Sequence, residues 1–212
     1  MPRTPIHGVL GAALALLLCA GPLAAADLFK VKPAGEYPAR QDQGDVTVAV
    51  KPFQTDNEVE EAFGKAKPLK YGFLPVLVVI DNDSDHSLNL ERLEVRFITS
   101  RGDGLEPTSG EDLTFYQPST RPKERPRYIP SVPGLGRPKL KKGPLAKPEI
   151  TGREFKAPVI GPHSSASGFF YYETGTGSDP IPGANIYISG IRNLNTGKEL
   201  FYFEIPLTPY AK

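Results

Sequence analysis

Residues 71–85 read YGFLPVLVVIDNDSD. The stretch from Phe73 to Ile80 is apolar at every position except Pro75, and it runs directly into a polar cluster rich in Asp and Asn. An apolar run of this length bounded by turn residues is a strand buried on both faces, and so a strand at the centre of a sheet. It is far shorter than the roughly 20 residues that a membrane-spanning helix requires. Pro75 cannot donate a ladder hydrogen bond, which places it near the start of that strand or beside a bulge. Asn82 to Asp85 has the composition of a turn.

Working outward, residues 45–53 alternate, with Val46, Val48 and Val50 on one side and Thr47, Ala49 and Lys51 on the other. That is a half-buried strand. Between the two lies the one helix the spacing predicts. Asn57 is placed to cap it with Glu60 three residues on, and Val59, Ala62, Phe63 and Ala66 share a face. Gly64 weakens it and Pro68 ends it.

Downstream, residues 87–99 alternate through Leu88 and Leu90, then slip phase to Leu93, Val95 and Phe97. Such a slip predicts a bulge or a break into two strands. A short strand is expected at 113–116. Further strands are expected at 155–160, 167–174, 185–191 and 199–207, the last two joined by a turn over Asn195, Thr196 and Gly197. Strands at this spacing with Gly and Pro between them give an all-β chain, a β-sandwich with one short helix.

Two stretches carry a resemblance. LVVIDNDS at 77–84 is a buried strand running into a polar turn. GPHSSASGFFY at 161–171 is a proline–glycine turn, a run of serines and a glycine–aromatic strand. Together they resemble exported immunoglobulin-like accessory domains of bacteria. The likeness is architectural: the Cys…Trp…Cys pattern of antibody domains is absent, since the chain has no Trp and a single Cys. It implies an immunoglobulin-like β-sandwich, an architecture that carries many functions.

The N-terminus reads as a secretory signal. Arg3 supplies a positive start, residues 9–18 are apolar or small, Pro22 breaks any helix, and Ala24, Ala25 and Ala26 suit a signal peptidase. Cleavage is expected after Ala26, with export to the periplasm or beyond. Leu17 and Leu18 stand where a lipoprotein signal has small residues, so lipid anchoring at Cys19 is not expected. The exported chain then has no cysteine, and packing rather than disulfides must stabilise it. The expected organisation is a signal peptide at 1–26, an arm at 27–43, a first part of the sandwich at 44–116, an insertion at 117–153 and a second part at 154–212.

The formal net charge of +1 conceals an asymmetry. Residues 118–153 hold ten Lys or Arg against two Glu, together with eight prolines. Proline at this density favours extended polyproline geometry. Arg121, Lys123, Arg125, Arg127, Tyr128, Arg137, Lys139, Lys141 and Lys142 are the candidate partner-binding residues, and an anionic envelope component or an acidic protein is the partner their charge suits. The alternative is a loop folded back on the acidic body of its own domain. Nucleic acid is a poor partner for an exported protein.

Other motifs point less far. Asp81, Asp83 and Asp85 occupy the first, third and fifth positions of a calcium loop, but His86 replaces the glycine required at the sixth and Arg92 stands at the twelfth. A solvated acidic turn explains them, with a looser calcium site as the other reading. His86 and His163 lack a second ligand at metal spacing. His163 beside Ser164 lacks a nucleophile elbow, and Gly102-Asp103-Gly104 and Gly175-Thr176-Gly177 lack the strand-to-helix setting of a phosphate loop. The aromatic runs 169–172 and 201–203 suggest a sugar-stacking face, but successive strand residues point to opposite sides, so half of them must enter the core. The reading is a non-enzymatic binding or structural module without a cofactor. A carbohydrate- or calcium-dependent adhesion module is the alternative.

Overall fold

The computed structural model describes residues 29–118 and 141–211. The expected signal peptide, with Cys19, lies outside the described residues. The described residues are mostly β, arranged as three antiparallel sheets with three short α-helices.

The first sheet has the order β1 (Arg40–Gln43), β2 (Val46–Pro52), β3 (Phe73–Asn82), β8 (Ser164–Glu173). The long apolar run is β3, and it is central as its sequence predicts. Leu74, Val76, Val78 and Ile80 enter one core, while Phe73, Leu77 and Val79 enter another on the opposite face. Full burial of each such side chain is worth about 1.5–3 kcal/mol, so this strand alone anchors both layers. Pro75 is its third residue and sits opposite Tyr171 of β8.

A second four-stranded sheet has the order β11 (Phe203–Pro206), β9 (Asn185–Ser189), β5 (Glu94–Ile98), β6 (Gly104–Leu105). Its inward residues are Val95, Phe97, Ile186, Ile188, Phe203 and Ile205, and they share the first core with β2 and β3. A small third sheet, β10 (Arg192–Asn193), β4 (Leu88–Asn89), β7 (Val159–Ile160), adds Leu88 and Ile160 to the same core. The phase slip between Leu90 and Leu93 is a break into two strands: β4 and β5 belong to different sheets.

The opposite face of the first sheet is covered by α1 (Asp56–Phe63), α2 (Gly110–Phe115) and α3 (Pro148–Gly152). Val59, Ala62 and Phe63 from α1, Leu113 from α2 and Ile150 from α3 fill the second core. The buried face of α1 is the predicted one, but its start lies two residues earlier. Thr55, not Asn57, is the cap: its hydroxyl accepts from the Glu58 amide at 3.3 Å, and the Glu58 carboxylate accepts from the Thr55 amide at 3.2 Å. Lys51 also pairs with Glu58 at 3.2 Å, an ion pair across elements that spacing within the helix does not reveal. The strand expected at 113–116 is instead the end of α2, because Ser109 caps that segment by accepting from the Asp112 amide.

Two boundaries differ from the sequence expectation. The described part of the arm, residues 29–43, is docked: Ala34, Tyr37 and Ala39 are buried and β1 pairs with β2. The stretch from Gly143 to Arg153 belongs to the body, because Leu145 and Ile150 are fully buried. Proline does not prevent a helix there, since Pro148 takes the first helical position, where no amide donor is needed. Among the described residues no helix is long and apolar enough to cross a membrane.

Candidate functional site

The basic proline-rich segment leaves and rejoins the body at one point. Gln117 Nε2 donates to the carbonyl of Lys141 at 3.1 Å, and the Gly143 amide donates to the carbonyl of Thr114 at 2.7 Å. The neck is braced from the core side by Tyr116, whose ring meets Phe73 edge-on at 4.8 Å. Gly143 is required there, because a Cβ would run into the carbonyl of Tyr116. Lys141 and Lys142 are exposed at the neck. Arg121, Lys123, Arg125, Arg127, Tyr128, Arg137 and Lys139 lie outside the described residues. Sequence reasoning named the cations but not Gln117, which closes the neck; a lone Gln carries no pattern that marks such a contact.

The acidic turn lies at the opposite end of β3, beside a cleft of about 630 Å³ whose lining includes Lys32, Asp81, Asp83, His163, Ser165 and Ser167. Asn82 organises the turn. It is fully buried, its side-chain amide donates to the carbonyls of His86 at 2.7 Å and Gly161 at 2.8 Å, and its Oδ1 accepts from the Ser84 hydroxyl at 2.6 Å. The three aspartates are not brought together. Asp81 Oδ2 accepts from the Ala34 amide at 2.6 Å, Asp83 is exposed, and Asp85 meets His163 Nε2 at 3.0 Å. Among the described residues no group of three or more His, Cys, Asp or Glu is placed to hold a metal ion. Asp81 Oδ2 is taken by the docked arm, and Asp85 by His163. Asp81 Oδ1 is buried and meets no hydrogen-bond partner among the described residues.

His163 and Ser164 do not face each other as base and nucleophile: the Ser164 hydroxyl donates to the carbonyl of Pro162 at 2.9 Å. His86 Nδ1 lies 3.2 Å from the Asn195 side-chain amide on the neighbouring turn. Burial pushes the Tyr37 phenol, near Asp81, above its ordinary value.

The aromatic runs divide between core and surface. Phe169 and Tyr171 enter the second core and Tyr172 the first, while Phe170 stacks on Phe155 at 5.5 Å. Phe203 is buried, but Phe201 and Tyr202 are 82% and 54% exposed. Tyr202 stacks on Tyr187 of β9 with ring centres 5.3 Å apart and planes at 26°. Sequence reasoning passed over Tyr187, although its position between Ile186 and Ile188 fixes it on the outer face of the sheet.

No protein-family model matches the chain, and no curated protein matches it in sequence. Among solved structures, the chain is similar to the crystal structure of the yjhA protein from Bacillus subtilis, with a TM-score of 0.38 at 9% identity over 71% of this chain and 79% of that one. A likeness at that level assigns neither fold family nor function.

Proposed function

We propose that the protein is an exported, non-enzymatic binding module of the cell envelope or periplasm, built on an immunoglobulin-like β-sandwich. Its partner is anionic, and contact is made through the basic proline-rich segment. The observation that carries this reading is the closed neck: Gln117 and Lys141 are hydrogen-bonded, so the residues between them form a loop tied at its base. That loop adds Arg121, Lys123, Arg125, Arg127, Arg137 and Lys139 to the chain with a single Glu. Each cation near an anionic surface is worth about 1 kcal/mol, falling away over a Debye length of about 8–10 Å at moderate salt. Tyr128, Ile129, Val132 and Leu135 add apolar contact between the charges. The sandwich part of the reading is supported by the first core, which side chains from two four-stranded antiparallel sheets share.

The test replaces residues 119–140 by a short Gly-Ser linker. Because the ends meet at the neck, closing the shorter loop costs little entropy, and the body keeps its thermal midpoint. The parent chain sediments with phosphatidylglycerol vesicles at low salt and the shortened chain does not. Equal sedimentation by both would overturn the reading.

A carbohydrate-binding adhesion module is the second reading, and the stack of the exposed Tyr202 on the half-buried Tyr187 favours it. Retention on immobilised glycans that disappears in Tyr202→Ala would support it; retention of neither form removes it.

A further inference from the structure

The outer edge of the first sheet is open along part of its length. β8 is the last strand of that sheet, and its existing bonds fix which backbone groups face outward. The Phe169 amide donates to the carbonyl of Arg153 at 2.8 Å, and the Phe169 carbonyl accepts from the Phe155 amide at 3.1 Å. The Tyr171 carbonyl accepts from the Thr108 amide at 2.7 Å. Outward-facing residues on an antiparallel strand alternate. Ser167 and Ser165 therefore face outward too, beyond the point where residue 153 ends its contact. Among the described residues no group pairs with their amides and carbonyls.

The edge of the second sheet is treated differently. On β11 the amide of Glu204 donates to Gln41 Oε1 at 2.9 Å, and the carbonyl of Tyr202 accepts from Gln43 Nε2 at 2.8 Å. Glutamines from β1 thus dress that edge. Among the described residues the stretch Ser164–Ser167 has no such cover, and it has no charged side chain within it to repel a pairing strand, the usual protections of a strand edge.

We propose that this edge pairs with the same edge of a second copy, antiparallel, about a two-fold axis at Ala166. In that register Ser165 of each copy stands opposite Ser167 of the other. All of these residues face outward, so each pair exchanges two backbone hydrogen bonds, as an antiparallel ladder requires. Their hydroxyls lie on the same face and can bond across the junction. The register is self-limiting, because Phe169, the next outward residue, is already bonded on both its amide and its carbonyl.

Charge favours a second copy of this chain as the occupant. At the Ser164 end of the edge stand Asp83 and Asp85, both exposed. At the Phe169 end stand Arg153 and Lys156; Glu154 between them accepts from the Gly110 amide at 2.9 Å through Oε1 and pairs with Lys156 at 3.6 Å through Oε2, so Arg153 supplies the net positive charge there. Antiparallel pairing sets the acidic end of each copy beside the basic end of the other. Parallel pairing would set like beside like.

The test expresses the full sequence with Cys19→Ser, so that Ala166→Cys is the sole thiol. The two positions 166 form a non-hydrogen-bonded antiparallel pair, with Cα atoms about 4.5 Å apart, within the range a disulfide spans. Mild oxidation is expected to give a covalent dimer. Light scattering of the parent chain is expected to show twice the monomer mass, falling to once on dilution. Ser167→Pro removes an outward amide that the isolated chain does not use, a position where an edge strand accepts proline. It is expected to stay monomeric, with the thermal midpoint that the parent shows at dilutions where the parent too is monomeric. A monomeric parent without crosslinking, or a Ser167→Pro dimer, overturns the proposal. A Ser167→Pro midpoint below that of the diluted, monomeric parent also overturns it, because that result shows the edge bonded within one chain.

Discussion

The Asp81 carboxylate accepts a hydrogen bond from the Ala34 amide at 2.6 Å, across 47 residues of sequence. This contact pins the N-terminal segment to the far end of the central strand, beside the buried Ala34 and Tyr37. Asp81→Ala removes the acceptor and leaves a buried amide unpaired, at a cost of about 1–3 kcal/mol. Asp81→Asn keeps an acceptor and is expected to cost less. Denaturant unfolding gives the two costs, and faster amide exchange at residues 34–37 in Asp81→Ala shows where the loss falls.

Two adjacent tyrosines tie the sheet to different layers. Tyr171 donates its hydroxyl to the carbonyl of Ile150 at 2.7 Å, and Tyr172 to the carbonyl of Val95 at 3.1 Å, both buried. Burial pushes both phenols up from the ordinary value of 10.0, with the Glu154 carboxylate adding to the rise at Tyr171 and Glu106 at Tyr172. In the window above 10 the unfolded chain releases these protons and the folded chain holds them, so stability is complete below that pH and falls as pH rises through it. Each Tyr→Phe change is expected to cost about 1–2 kcal/mol at neutral pH, since it orphans a buried carbonyl. The double variant is expected to lose stability less steeply above pH 10 than the parent, measured by denaturant midpoints across that range.

The acid side of the stability profile is expected to depend on Glu58. Burial raises its carboxyl, but hydrogen bonds from Thr55 and Lys51, together with the Lys51 charge, outweigh that and hold it below the ordinary value of 4.5. A depressed carboxylate stabilises the fold above its ordinary value and loses that contribution as pH falls through the depressed one. Glu58→Gln is therefore expected to flatten the acid limb of stability against pH. Thr55→Ala is expected to cost about 1 kcal/mol at neutral pH through loss of the helix cap.

How much of this was legible beforehand follows from the range over which each signal acts. The central position of β3 could be read because every residue from Val76 to Ile80 is apolar, and only a strand between two layers buries both faces. The break between β4 and β5 was visible in the phase slip after Leu90. The cap of α1 differs from the expected one because Asn57 and Glu60 match the same local pattern as Thr55 and Glu58, and it is Thr55 and Glu58 that form the capping box. The docked arm and the buried Leu145 and Ile150 were missed because their apolar residues are too sparse to show a period. At the candidate site, the cations of the loop were plain in composition. The hydrogen bond that closes its neck joins Gln117 to a residue 24 positions away, and no local pattern announces it.

Gly168 offers a test of the packing on β8. A Cβ there would lie 2.6 Å from the backbone nitrogen of Phe155, which crosses directly above the strand. Backbone cannot give way as a side-chain tip can, so Gly168→Ala is expected to cost about 1–3 kcal/mol and to separate the Phe155–Phe170 stack. Gly35→Ala meets nothing within 4 Å and is expected to stay within about 0.5 kcal/mol of the parent. Denaturant midpoints of the two variants make the comparison.

The cationic loop is the centre of the account, and its charge is best tested with its length and prolines left in place. Arg121, Lys123, Arg125, Arg127, Arg137 and Lys139 would all be changed to Gln, and affinity for phosphatidylglycerol vesicles measured against salt for parent and variant. The account predicts that the parent binds and weakens steeply as salt rises, while the variant is weak at every salt concentration and folds as the parent does. Affinity that is the same in both chains, or unmoved by salt in the parent, would contradict it.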